Sequence, residues 1–236
     1  MRHYTFDSDY TDSSATADHG VFTDVGTMGN SGIINTAGDW KVGGGALNLS
    51  SDRDFVGFTS FTIGSGNAYS VAFWARKAAG DTGDPSTWDM VLGERGDTDF
   101  FIGLNDATGT QNRDGIRWRG AINAGGNRES DFVGPNDTEW HHHAFVATAG
   151  GLMSYYRDGA FVGSEAGVAT GFIFDTIGEA YSTGRDFDFH GQIDDVRIYD
   201  EALSGGAVAA LAVPEPTTAL LMGAGLAGLF WFRRRG

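Results

Sequence analysis

Short runs of β-branched and aromatic residues, each closed by a glycine, asparagine or aspartate turn, follow one another through most of this chain. They lie at 2–6, 46–49, 55–58, 69–76, 90–94, 100–105, 115–119, 142–148, 153–157 and 192–199. Runs of this length, bounded by turn chemistry such as Asp81-Thr82-Gly83-Asp84, suit strands and are too brief for helices. Asp158-Gly159, between Tyr155-Tyr156-Arg157 and Ala160-Phe161-Val162, predicts a two-residue hairpin. Helical periodicity first appears at 201–211, where Ala202, Leu203, Val208 and Leu211 allow one or two turns. About ten strands with one late helical turn predict an all-β sandwich. No solenoid-type repeat is present.

Composition narrows the function. A length of 236 residues holds one sizeable domain and a tail. Acidic residues outnumber basic ones, 31 to 16, and leaving out the three arginines near the end takes the formal charge from −15 to −18. A phosphate backbone demands a basic footprint, so nucleic acid is excluded as a partner. The 37 glycines supply the turns, and the absence of cysteine rules out disulfides and thiolate metal sites. Stability must come from a large core or from bound metal.

The last two dozen residues differ from the rest. Val213-Pro214-Glu215-Pro216 is followed by an apolar run at 219–232 and then by Arg233, Arg234 and Arg235. As a helix the run would rise about 21 Å, short of the roughly 30 Å hydrocarbon core, and it has no polar face for a core helix to show to water. The order of Pro-Glu-Pro, the Gly225–Leu229 stretch Gly-Leu-Ala-Gly-Leu and the arginine cluster resembles the PEP-CTERM sorting signal of Gram-negative bacteria. That resemblance implies an exported protein. It would be anchored transiently in the inner membrane by a short C-terminal transmembrane helix. An exosortase-type transpeptidase would then pass it to the cell surface or extracellular matrix. Residues 1–6 carry no apolar leader segment, so the expectation is a signal peptide encoded upstream of Met1, with a never-exported protein as the other reading.

The body carries a second resemblance. Gly191-Gln192-Ile193-Asp194-Asp195-Val196-Arg197-Ile198-Tyr199 with Glu201-Ala202-Leu203-Ser204 is similar to the closing strand of laminin-G-like, concanavalin A-like jelly-roll domains. Tyr4-Thr5-Phe6-Asp7 with Thr11-Asp12-Ser13-Ser14 resembles the family's opening strand and loop. Gly45-Ala46-Leu47-Asn48-Leu49, Tyr69-Ser70-Val71-Ala72-Phe73-Trp74 and Glu139-Trp140-His141-His142 with Ala144-Phe145 resemble its internal strands. Tyr156-Arg157-Asp158-Gly159 resembles its Tyr-x-Asp-Gly hairpin. The resemblance implies an antiparallel jelly-roll β-sandwich over 1–211, a linker at 212–218, a sorting helix at 219–232 and a basic tail at 233–236. The fold hosts lectins, adhesion modules, pentraxin-like binders and glucanases alike.

Four chemistries can be weighed on the residues. If first and last strands pair, Asp7, Asp9 and Asp12 come near Asp194, a plausible structural calcium site. The other reading makes Asp7 and Asp12 Asx turns and Asp194 an acceptor of backbone hydrogen bonds. Asp194 and Asp195 would face opposite sides of an ideal strand. In His141-His142-His143 only His141 and His143 share a face, a pair better suited to packing and hydrogen bonding than to zinc. The glucanases of this fold use Glu-x-Asp-x-x-Glu, and the nearest stretch, Glu129-Ser130-Asp131-Phe132-Val133-Gly134, has glycine where the second carboxylate belongs. No other catalytic motif is found, so the chain is expected not to be an enzyme. Sugar binding calls for exposed aromatic platforms, for which Trp88 and Trp118 are the candidates, while Trp74 and Trp140 fit the core. The expected role is a non-catalytic adhesion or glycan-binding module meeting extracellular polysaccharide or a surface glycan. A glycan-degrading enzyme and a purely structural matrix component are the alternatives.

Overall fold

The computed structural model describes residues 1–25, 29, 31–50, 53–64, 66–79, 89–96, 101–104, 115–119, 128–129, 132, 134–135, 137–165, 172–180 and 188–214. Among these residues the strands, numbered in chain order, form two antiparallel sheets. In the first, Ala160–Glu165 (β13), Met153–Arg157 (β12), His141–Ala147 (β11), Tyr69–Lys77 (β6), Gly191–Tyr199 (β15), Ala46–Leu49 (β4) and Gly32–Ile34 (β3) lie side by side in that order. Arg2–Tyr4 (β1) also pairs with β15. The second sheet runs Arg128–Glu129 (β10), Ile116–Arg119 (β9), Phe101–Leu104 (β8), Met90–Gly93 (β7), Phe172–Ile177 (β14), Phe55–Ile63 (β5) and Val21–Thr23 (β2). The all-β antiparallel sandwich expected from the turn pattern is what forms.

Period-two alternation explains which residues meet between the sheets. On β6, Tyr69, Val71, Phe73 and Ala75 belong to the interior cluster, as do Phe145 on β11, Tyr155 on β12 and Ile193, Val196 and Ile198 on β15. Val56, Leu92, Ile102, Leu104, Ile116, Phe172, Phe174 and Ile177 answer them from the second sheet. The rings interlock: Phe145 lies 5.1 Å from Tyr155 and 6.3 Å from Phe73, and Phe172 lies 4.3 Å from Phe174. Each such ring contributes about 1.5–3 kcal/mol by burial, which is how a chain without disulfides holds together.

The outer face of the first sheet is partly covered as well. Gly205–Leu211 (α1) starts at Ser204, whose hydroxyl accepts from Ala207 N, and sets Val208 on Ala72, Ala144 and Val146. This is the late helical turn expected at 201–211. Five strands lie beyond the ten expected: β2 and β3, of three residues each, β10, of two, and β13 and β14. β13 follows the Asp158-Gly159 turn as the hairpin predicts, with Asp158 and Gly159 both at positive φ. β2, β3 and β10 are too short for any periodicity to show.

No helix among the described residues is long and apolar enough to cross a membrane. The helix expected at 219–232 lies outside the described residues, as do Glu215, Pro216, Arg233, Arg234 and Arg235. Pro214, half-buried, is the last residue described.

One glycine tests the central pairing. Gly191 opens β15 at φ +146 between Leu49 of β4 and Lys77 of β6, and a Cβ there would collide with the Arg76 carbonyl oxygen. Gly191→Ala is expected to lower unfolding stability by about 2 kcal/mol or more, read as a fall in urea midpoint at unchanged slope.

Candidate functional site

The place where first and last strands meet is built from carboxylates. One edge of β15 pairs with β6 along most of its length. Its other edge is shared, by β4 across Gly191–Ile193 and by β1 across Val196–Ile198. The handover falls at Asp194 and Asp195. A register shift sits between Asp194 and Arg197, and Asp195 has φ +51. Ile193 and Val196 both belong to the interior cluster, so this bulge turns both aspartates away from it and overrides the opposite-face expectation.

Each carboxylate then holds a different piece of chain. Asp194 Oδ2 accepts from Lys41 N and Val42 N, at 2.8 Å each, on the segment that leads into β4. Asp195 Oδ1 accepts from His3 Nε2 of β1 at 2.7 Å and from Arg197 Nε at 3.0 Å. Asp7 Oδ1 accepts from Gly44 N. Asp12 accepts from His3 N, Ser14 N and Ser14 Oγ at 2.9 Å each and from Asp18 N at 3.1 Å. Asp9, exposed, accepts from Thr11 N and its hydroxyl.

Among the described residues no three His, Asp or Glu side chains converge as metal ligands. Asp7, Asp9, Asp12 and Asp194 are the four residues of the calcium site that strand pairing suggested. Pairing does bring the ends together, but backbone amides engage each of the four carboxylates. Asp9 and Asp12 bond the amide two residues on, as Asx turns do, and Asp194 accepts backbone hydrogen bonds.

The environments shift several protons. Burial pushes the Asp194 carboxyl up to about 7 against its two amide donors, with the Asp195 charge adding to the rise. Its Oδ1 is buried with no hydrogen-bond partner among the described residues. Burial opposes ionisation of Asp12 too, but amide donors from His3, Ser14 and Asp18 hold it below the usual range. Across the sheet from Asp194 lies Trp74 on β6, and beyond it His142 on β11. The His142 ring meets Trp74 edge-on at 5.3 Å, and Lys41 Nζ sits 4.7 Å over the indole. Burial lowers His142 to about 4, although Asp195 and Asp158 favour its cation.

The aromatic candidates divide. Trp74 is buried as expected, but on the outer face of the sheet rather than between the sheets. Trp140 is half-buried under the Arg76 guanidinium, 5.2 Å from the ring. Trp118, expected to reach solvent, is 1% exposed, with its ring 6.0 Å from both Phe132 and Phe145. Alternation puts Trp118 on the same face as Ile116, which also belongs to the interior cluster, so the tryptophan turns inward. A side chain so placed packs in the interior cluster. Trp88 lies outside the described residues. His143 stacks on Phe73 at 5.5 Å and bonds the Tyr155 hydroxyl, while His141 bonds Asp158 and Asp137. These are packing and hydrogen-bonding histidines.

The sequence gives no hint of a cleft of about 430 Å³ at one end of the sandwich. Arg2, Phe61, Thr62, Asn67, Tyr199 and Asp200 line it. Phe61 stacks on Phe174 at 5.4 Å, and the Arg2 guanidinium carbon lies 4.7 Å over the Phe61 ring. Thr62, Asn67 and Asp200 are exposed. These residues come from three distant parts of the chain, and only the pairing of β1 with β15, together with the β5–β6 connection, gathers them.

The family model for the concanavalin A-like lectin/glucanases superfamily, in its laminin G form, matches residues 44–209. The chain belongs to this superfamily. A model of the PEP-CTERM protein-sorting motif matches residues 212–235, directly behind the domain. That motif implies an exported protein held at the membrane before sorting. No curated protein matches the sequence.

Among solved structures, the chain is similar to domain 4 of AbnA, an extracellular arabinanase of Geobacillus stearothermophilus solved with arabinotriose. Identity is 21%, TM-score 0.64, and coverage 90% of this chain and 97% of that one. It is similar also to the receptor binding domain of botulinum neurotoxin D, at 14% identity and TM-score 0.60, covering 90% and 52%. The serotype D domain with N-acetylneuraminic acid gives 14% and 0.58, covering 90% and 50%. The chain thus spans about half the toxin domains it matches. At these identities the likeness shows the fold of the superfamily member and leaves the ligand open.

The two shifted groups predict opposite pH responses. Asp194 has a folded value near 7 against an ordinary 3.8, so its ionisation costs stability progressively as pH rises from about 4 to about 7. His142, lowered from 6.5 to about 4, costs stability as pH falls through that interval. Asp194→Asn should therefore melt higher than the parent at pH 8 and match it near pH 4. His142→Gln should flatten the acid side. Melting curves across pH check both, and parallel parent and variant profiles would refute the assignment.

Proposed function

We propose that this is an exported, non-catalytic glycan-binding or adhesion module of a bacterial extracellular polymer. One observation carries the proposal: the match to a concanavalin A-like domain ends at residue 209 and that to a PEP-CTERM sorting motif begins at residue 212. An address outside the cell and a fold that presents sugar sites are joined without another domain between them. The two saccharide complexes among the similar structures, with arabinotriose and with N-acetylneuraminic acid, support a carbohydrate as the ligand. Residues 219–232 hold the chain in the inner membrane, and an exosortase-type transpeptidase acts at the Pro214-Glu215-Pro216 segment before release to surface or matrix.

Binding without turnover agrees with Gly134 standing where glucanases of this fold need their second carboxylate. A structural calcium ion at Asp7, Asp9, Asp12 and Asp194 would share these carboxylates with the backbone amides they already engage.

The full chain behind a secretion leader, expressed in an exosortase-bearing host, is expected in the extracellular fraction. Replacing Pro214, Glu215 and Pro216 by alanine should retain it with the inner membrane. The secreted domain should bind on a glycan array and release no reducing ends from the glycans it binds. Silence across the array would leave a structural matrix component, and released ends would make it an enzyme.

A further inference from the structure

We propose that the cleft between β1, the β5–β6 connection and the end of β15 is the glycan site, and that it takes an uncharged, hydroxyl-rich sugar and rejects uronates and sulfated glycans. The inference rests on the glycan-binding reading above and assigns its place and ligand class.

The lining has the chemistry that sugar hydroxyls need. Asn67 offers both donor and acceptor, the Thr62 and Tyr199 hydroxyls do the same, and the Asp200 carboxylate accepts. A volume of about 430 Å³ lies at the small end of ordinary ligand sites and suits one or two sugar rings. The wall behind them is stiff: Phe174, Phe61 and the Arg2 guanidinium are layered on one another, and Ile198 beneath is part of the interior cluster. Tyr199 ends β15, a strand paired on both edges, and Asp200 follows directly on it. Rigid placement of this kind lowers the ordering cost of binding.

Charge decides the class. Among the described residues that line the cleft, Arg2 is the cationic side chain, and it is ion-paired with two carboxylates. Its Nη2 lies 3.2 Å from Asp18 Oδ2 and its Nε 4.0 Å from Asp12 Oδ2, with the guanidinium side chain only 12% exposed. Two carboxylates therefore share one arginine, and Asp200 adds a third negative charge at the rim. The chain as a whole carries −15. A carboxylate or sulfate entering here would meet three carboxylates around one arginine side chain whose charge two of them already balance. An uncharged ring loses nothing by that field and can use every polar group on the wall.

The test uses the secreted domain, with neutral arabino- and gluco-oligosaccharides and the anionic polymers polygalacturonate and heparin as probes, titrated at low and high salt. Binding is expected to at least one neutral probe, unchanged by salt, and to neither polyanion. Asn67→Ala and Asp200→Ala, both at exposed positions, should each weaken neutral-probe binding about tenfold at unchanged melting temperature. Arg2→Lys should leave the polyanions unbound. Salt-sensitive binding of a polyanion overturns the ligand class while the glycan reading stands. Neutral-probe binding untouched by both variants overturns the site. A domain that binds no glycan on these probes or on an array removes the reading and this inference together.

Discussion

The structure depends on how one strand divides its edge. β15 gives one side to β6 and splits the other between β4 and β1, so residues 2–4, 46–49 and 191–199 are locked at a single seam. Two adjacent aspartates make the division possible. A bulge at Asp194 and Asp195 frees both side chains, one to hold the Lys41-Val42 amides ahead of β4 and the other to hold His3 on β1. Backbone amides caught in this way are satisfied without a strand partner, which a handover between two neighbours requires.

That seam also gives the acidic residues of the opening loop a structural task. Asp7 and Asp12 accept amide hydrogen bonds from the loop that precedes β4 and from β1 with its following turn, and Asp12 sits against Arg2. The loop bonds that fix Arg2 therefore fix one wall of the cleft. Folding and the proposed binding site thus share parts: Arg2 belongs to the β1–β15 ladder, layers on Phe61 and balances Asp12 and Asp18. Such sharing explains how a site made of exposed polar side chains can remain ordered.

Much of the fold is legible before any coordinates. Glycine and aspartate turns around aromatic and β-branched runs give an antiparallel sandwich, the Asp158-Gly159 turn gives the β12–β13 hairpin, and 201–211 gives α1. What was misread has a physical cause in each case. Trp118 looks exposed because arginines flank it, yet strand alternation turns it into the core. Asp194 and Asp195 look opposed because an ideal strand alternates, yet a bulge removes the alternation. β2, β3 and β10 are too short to leave a pattern. Thr62, Asn67 and Asp200 carry no motif, and their convergence comes from pairings that no local sequence encodes.

By itself the sequence determined the class of fold, the order of its strands' main members and the export address, because each rests on short-range regularities: alternation, turn chemistry, and the order of a proline spacer, an apolar run and arginines. Only the tertiary structure decided what the aspartates do and which residues line the cleft. Whether a carboxylate meets a metal, an amide or a guanidinium depends on which distant segment arrives beside it. Here β15 brought the amides of 41–44 and the side chain of His3 to that place, and set Arg2 over Phe61.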